Sequence, residues 1–266
     1  MKAALSLAPQ VNPYRASIIH SSYANWHENK LVRVFNTEQK LSPQAEYVHD
    51  NFRRHVANQD FPCIGAKAAV NGNCYRFGFY PKMNQPKTTA GLAHDLWTYA
   101  QEQSTFKTNY ATFIASFALP VVADEMSWEK LLWTQLENLH ELDRKHYSWD
   151  KTVSSNPEDS DFSFSFAETG FFVVGLHPAS SRLSRRFQWA TLVFNTHAQF
   201  ERLREENLFE RMQQTIRDRD LKLQGSLNPN LSDFGKQSEA KQYSGRAVED
   251  DWKCPFHAKL KEKSGK

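Results

Sequence analysis

Apolar and polar positions recur along this chain with two different periods, and the switches between them mark out helices and strands. In SPQAEYVHDNFRRHVAN (42–58), Ser42 stands as a cap before Pro43 at the first helical position, which predicts a helix over 43–58. That helix runs straight into FPCIGAK (61–67). A short helical turn over 64–70 then ends at Asn71-Gly72, and CYRFGFY (74–80) alternates as a strand does. Leu92, Leu96 and Tyr99, and later Leu131, Leu132, Leu136, Leu139 and Leu142, recur at spacings of three and four, which predicts amphipathic helices over 89–103 and 126–147. Between them, YATFIASFALPVV (110–122) reads as a buried strand.

The segment 154–160 has loop composition. FSFSF (162–166) alternates ring and hydroxyl before a continuous apolar run over 171–176, and ATLVFN (190–195) supplies a further strand. A charged helix over 197–220, rich in pairs four residues apart, follows. Residues 1–20 show no clear period, and the polar stretch from Gln224 onward is expected to wrap the surface or line a pocket mouth. Several strands look hairpin-connected rather than separated by crossover helices. The expected class is therefore α+β: a single domain with a mixed, largely antiparallel sheet packed with several helices. The expected division is an N-terminal arm over 1–40, the domain over 41–258 and a charged flexible tail over 259–266.

Composition narrows the function. The chain has 266 residues, 40% of them hydrophobic, with 19 Phe and 7 Trp, enough to form a core and a pocket for a flat ligand. Net charge is only +3, with the basic residues spread among 30 acidic ones, so nucleic acid is not an expected partner. The three cysteines, odd in number and irregularly spaced, point to a reducing, cytoplasmic setting rather than a disulfide framework. The N-terminal apolar stretch is broken by Pro9 and Pro13 and no window reaches the length of a membrane span, so no membrane partner is expected. The Gly-x-Ser-x-Gly, dinucleotide and His-Glu-x-x-His signatures are absent, which removes the common hydrolase, dehydrogenase and metalloprotease readings.

Three segments concentrate the remaining chemistry: FPCIGAK (61–67), GLHPASSRLSRR (175–186) and SEAKQYSGRAVEDDWKCPFH (238–257). Cys63 follows Pro62 at the start of a helical turn, where free amides and the helix dipole favour a thiolate able to bind iron. The bland alternative is a small buried hydrophobe. His177 follows a hydrophobic strand and precedes Pro178, and Arg182, Arg185 and Arg186 behind it are suited to paired carboxylates such as the propionates of heme. A structural histidine and a phosphate loop are the competing readings there. Cys254 and His257 form half of a zinc site, and a zinc-stapled interaction module would need both Cys63 and Cys74 to complete it. The covalent Cys-x-x-Cys-His signature is absent, so the heme expected is noncovalent heme b. Asp233, Glu239, Gln242, Tyr243 and Arg246 are polar groups able to grip a cationic or zwitterionic substrate, with a solvated terminal segment as the alternative.

FPC near residue 61, LHPASSRLSRRF with LVFNTHAQFERLR behind it, and the QYSGR…WKCPFH ending together resemble the YqcI/YcgG family of heme proteins, from about Phe52 to His257. The resemblance implies a heme-dependent monooxygenase. Members of that family include N-hydroxylases acting on the guanidine of arginine or of arginine-derived compounds in natural-product pathways. Under it, Cys63 is the more attractive axial ligand, and His177 is the rival ligand or a hydrogen-bond donor across the ring. Both remain candidates for metal ligation and catalysis. Asp233, Glu239 and Tyr243 are the expected partners of a guanidinium substrate. No flavin or iron-sulfur motif is present, so an external electron donor or peroxide is implied. A non-catalytic heme-binding or gas-sensing protein is the alternative.

Overall fold

The computed structural model describes residues 11–230 and 237–259. The strands are β1 (Ala24–His27), β2 (Lys30–Arg33), β3 (Tyr75–Lys82), β4 (Thr112–Leu119), β5 (Phe164–Phe166), β6 (Thr169–Leu176) and β7 (Thr191–Thr196). The helices are α1 (Pro43–Ala57), α2 (Ile64–Asn71), α3 (Pro86–Glu102), α4 (Glu125–Asp143), α5 (His197–Glu205), α6 (Phe209–Gln224) and α7 (Ala240–Tyr243). The strands form one seven-stranded sheet in the order β2-β1-β3-β4-β7-β6-β5. Only β3 and β4 run parallel, joined through α3; the other neighbouring pairs are antiparallel. The fold is α+β.

Side-chain alternation across β4 separates two apolar layers. Phe113 and Phe117 point into a layer with Leu92 and Leu96 of α3 and Trp128, Leu132 and Leu136 of α4. Ile114 faces the opposite layer, with Val48, Phe52 and Val56 of α1 and Val70 of α2. Local chemistry sets the helix ends. Ser42 accepts a hydrogen bond from the Ala45 amide at 3.1 Å, and Asp124 caps α4 by accepting from the Ser127 amide at 2.7 Å. Gly225, at φ 78°, closes α6 in the left-handed conformation.

Three features depart from the pattern-based expectation. First, β1 and β2 lie within residues 1–40, the stretch assigned to an arm, and extend the sheet through β3. Secondly, the single helix expected over 197–220 is two helices: Asn207 takes φ 56° and turns the chain between α5 and α6. Thirdly, the polar C-terminal stretch is anchored by rings. Tyr243, Cys254 and Phe256 enter the layer that contains Trp133, and the Tyr243 hydroxyl donates to the Phe171 carbonyl at 2.8 Å and accepts from the Phe164 amide at 3.1 Å. α7 therefore shields the edge of β6 beyond the short β5.

Candidate functional site

Four side chains in the middle of the sheet, Phe172 and Val174 on β6 and Val193 and Asn195 on β7, keep solvent-accessible surface, whereas Val173 and Phe194 between them have none. Phe172 pairs with Asn195 and Val174 with Val193, so the four form one patch on the face that carries α1 and α2. α6 makes its main contacts with α2, α5 and the 183–185 turn rather than with the strands. The patch, left partly accessible on this face, is the floor of the candidate recess. A separate, shallow cleft of about 580 Å³ beside the end of β4, lined by Pro120, Val121, Asp124 and Lys130, contains none of the candidate residues.

Cys63 stands at the wall of the recess. With Ala66 it packs at the margin of the apolar cluster that includes Val174 and Val193. It caps α2, its sulfur accepting from the Ala66 amide at 3.4 Å. The expectation of a ready thiolate is not met: burial pushes the thiol up, and the amides of Ala66 and Gly65 with the Arg185 charge offset this only in part. Gly65 lets the chain pass close to the Tyr110 ring, which a Cβ there would approach to 3.3 Å.

The three arginines behind His177 have different fates. Arg182 is buried and spent, paired with Asp220 and donating to the Ser226 hydroxyl and carbonyl. Arg186 is exposed, its Nε donating to the Ser180 carbonyl at 2.9 Å. Arg185 turns inward along the β6 edge and donates to the carbonyls of Gly175, Tyr243 and Gln242 at 3.1, 3.4 and 3.3 Å. Among the described residues no carboxylate forms an ion pair with it. Burial lowers its pKa to about 10, which leaves it cationic at neutral pH, with Cys63 and then Asp220 as the offsetting influences.

His177 lies on the other side of the sheet. Its ring stacks on Trp128 of α4, with centroids 5.2 Å apart and planes 25° from parallel, and Gly175 permits this approach, because a Cβ there would strike Trp128 and Leu132. The ring is fully buried and, among the described residues, neither nitrogen has a hydrogen-bond partner. Burial drives its pKa down to about 4, so it is neutral at physiological pH.

The model of the YqcI/YcgG family matches residues 52–257. The chain belongs to the YqcI/YcgG family. No curated protein and no solved structure matches it.

The family segment also contains the C-terminal candidates. Glu239, just ahead of α7, keeps partial exposure, and burial raises its carboxyl to about 7 against the pull of Ser163 and Arg204. Tyr243 is committed to the edge of the sheet, as described above. Arg246 is locked between Glu129 at 2.9 Å and Glu249 at 2.9 Å. Asp233 lies outside the described residues. Of Glu239, Tyr243 and Arg246, Glu239 is the one whose position leaves it available.

Sequence reading missed Ser163, His197 and Glu201. Ser163 comes one residue before the Phe164–Phe171 pair, which puts it beside Phe172 at the end of the floor. Its hydroxyl lies 3.2 Å from Glu239 Oε2 and 3.3 Å from His197 Nδ1, while His197 Nε2 is 3.1 Å from Glu201 Oε1. The one available signal was the ring-hydroxyl alternation of FSFSF, which buries both Ser163 and Ser165 inside the protein.

The donor set suits heme in kind. A partly accessible thiol, an apolar floor and a cation without an ion-pair partner among the described residues are what iron, a macrocycle and a propionate respectively require.

Proposed function

We propose that the protein is a heme-dependent oxygenase that N-hydroxylates the guanidine or amino group of an arginine-like small molecule, with Cys63 as the iron ligand and Arg185 holding a propionate. The observation that carries this reading is the pairing of Cys63 and Arg185 at one recess, both half-buried, the second a cation without a carboxylate partner among the described residues. Bound heme supplies oxygen binding and activation at iron, and a thiolate ligand favours O–O cleavage. Cys63 gives up its proton on ligation, which the Ala66 amide and the Arg185 charge assist. The ring of Phe172 and the valines of the floor exclude water from one side of the recess.

Glu239 suits the role of guanidinium partner. Its carboxyl, poised near 7, ionises readily once a cation lies against it, and an ionised carboxylate accepts two parallel hydrogen bonds from a guanidinium. His177, sealed against Trp128, serves the packing of α4 on the sheet in this reading. Electrons come from an external donor or peroxide, and the setting is cytoplasmic.

Turnover tests the activity. Purified holoprotein is incubated with arginine or its guanidine analogues and either a reductase system or peroxide, and products are read by mass spectrometry. A product heavier by one oxygen, lost in Glu239→Ala, is expected. Heme that binds carbon monoxide reversibly but yields no oxygenated product from any of these compounds would favour a gas-binding protein instead.

A further inference from the structure

We infer that Asn195 sets the specificity of the recess for a guanidinium, its side-chain oxygen and the Glu239 carboxylate holding the cation from opposite sides against the Phe172 ring. The inference rests on the reading of the recess as a substrate site, but not on the identity of its cofactor. Ser163, Phe172 and Asn195 occupy one row across the sheet: Phe172 pairs with Asn195, and the Phe164–Phe171 pair places Ser163 next to Phe172. Glu239 meets the row at Ser163, whose hydroxyl donates to its Oε2 at 3.2 Å. Ser163 and Asn195 are thus two strand spacings apart, about 10 Å, with the ring between them.

One hydrogen bond fixes which end of the Asn195 amide is open. Its Nδ2 donates to the Phe172 carbonyl at 3.4 Å, and a carbonyl only accepts, so the nitrogen is the end turned to the backbone and the oxygen is turned away. Among the described residues nothing donates to Oδ1, and the atom is not sealed from solvent. Thr112, the next residue along the row, gives its hydroxyl to the Phe194 carbonyl at 3.1 Å. Phe172 is held in place by edge-to-face contacts with Phe200 and Tyr243, at 5.8 and 5.6 Å between centroids, yet keeps accessible surface. Such a ring face attracts a cation. Arg204, whose charge acts on Glu239, is engaged elsewhere: it pairs with Glu201 and lies over the Phe209 ring at 4.4 Å.

A carboxylate on one side and a neutral acceptor on the other match a guanidinium in shape and in charge. The flat cation carries N–H donors that diverge in its own plane, so it serves Glu239 and Asn195 together while stacked on Phe172. An ammonium is a compact point charge; paired with Glu239, it leaves Asn195 without a donor. Asn195 therefore narrows the substrate from a guanidine or an amine to a guanidine.

Calorimetric titration of L-arginine and of L-lysine into the purified protein, with and without heme, tests this without turnover. The parent is expected to bind arginine at least about 10-fold more tightly than lysine. Asn195→Leu, and the smaller Asn195→Ser, should each weaken arginine about 10-fold and leave lysine nearly unchanged, whereas Glu239→Gln should weaken both. Asn195→Asp keeps the acceptor oxygen and loses the donor to the Phe172 carbonyl, so it should retain arginine binding. Arginine bound at parental strength by both Asn195→Leu and Asn195→Ser would overturn the inference. So would a folded Asn195→Asp as weak as Asn195→Leu, the result of an asparagine that only braces the sheet. A parent that binds neither compound would overturn the substrate reading itself, whereas binding indifferent to Asn195 overturns this inference alone.

Discussion

Cys63 and His177, the two side chains best suited by type to ligate iron, sit on opposite faces of one sheet. Cys63 joins the layer of α1 and α2, and His177 stacks on Trp128 of α4. One iron held by both is incompatible with this arrangement, so the two candidates become alternatives with different structural consequences. The guanidinium of Arg185, at the end of β6, feels both.

The His177 ring is an internal liability if it ligates nothing. Two buried nitrogens without partners among the described residues each forgo hydration. His177→Phe keeps the aromatic stack on Trp128 and removes both nitrogens, so chemical denaturation is expected to show a protein between equal in stability and about 1 kcal/mol more stable. The sign of the pH dependence follows from its depressed pKa. The neutral ring is favoured in the folded state, so its contribution is present above the ordinary value of 6.5 and is lost as pH falls toward about 4. The substitution should reduce acid destabilisation in that window.

Arg182 and Asp220 form a buried pair that ties the loop after His177 to α6. Arg182→Ala strands the Asp220 carboxylate and is expected to cost about 3 kcal/mol in urea unfolding. Arg182→Met with Asp220→Leu should recover most of that loss, because the desolvated charge is then gone. A single variant as stable as the parent would remove the pair from the account of how the loop is held.

Glu239 makes the protein less stable as pH rises from 4.5 toward about 7. Its carboxyl titrates at about 7 in the folded protein, against an ordinary value of 4.5. Between those values the folded state holds a proton that the unfolded chain has released, so stability falls as pH rises through the window and levels off above it. Glu239→Gln should flatten this decline, read as the difference in urea midpoint between the two proteins on either side of the window.

Much of the architecture was legible in the chain. Ser42-Pro43, the leucine spacing of α4 and the ring-hydroxyl alternation near β5 marked their elements because local chemistry and burial agree there. The β1–β2 hairpin was not legible. Its turn is made by Glu28 and Asn29, both at positive φ without a glycine to signal it. At the site, Cys63 was found through its helix-start position, but its raised pKa depends on burial, which no local pattern reports. The differing roles of Arg182, Arg185 and Arg186 depend on Asp220 and on the α7 carbonyls, partners distant in sequence.

The absorption spectrum of the purified, heme-reconstituted protein, reduced and exposed to carbon monoxide, tests the central claim most directly. Ligation by Cys63 predicts a strongly red-shifted Soret band that disappears in Cys63→Ala and persists in His177→Ala. A band that survives loss of Cys63 and disappears with His177, or no Soret band at all, would contradict it.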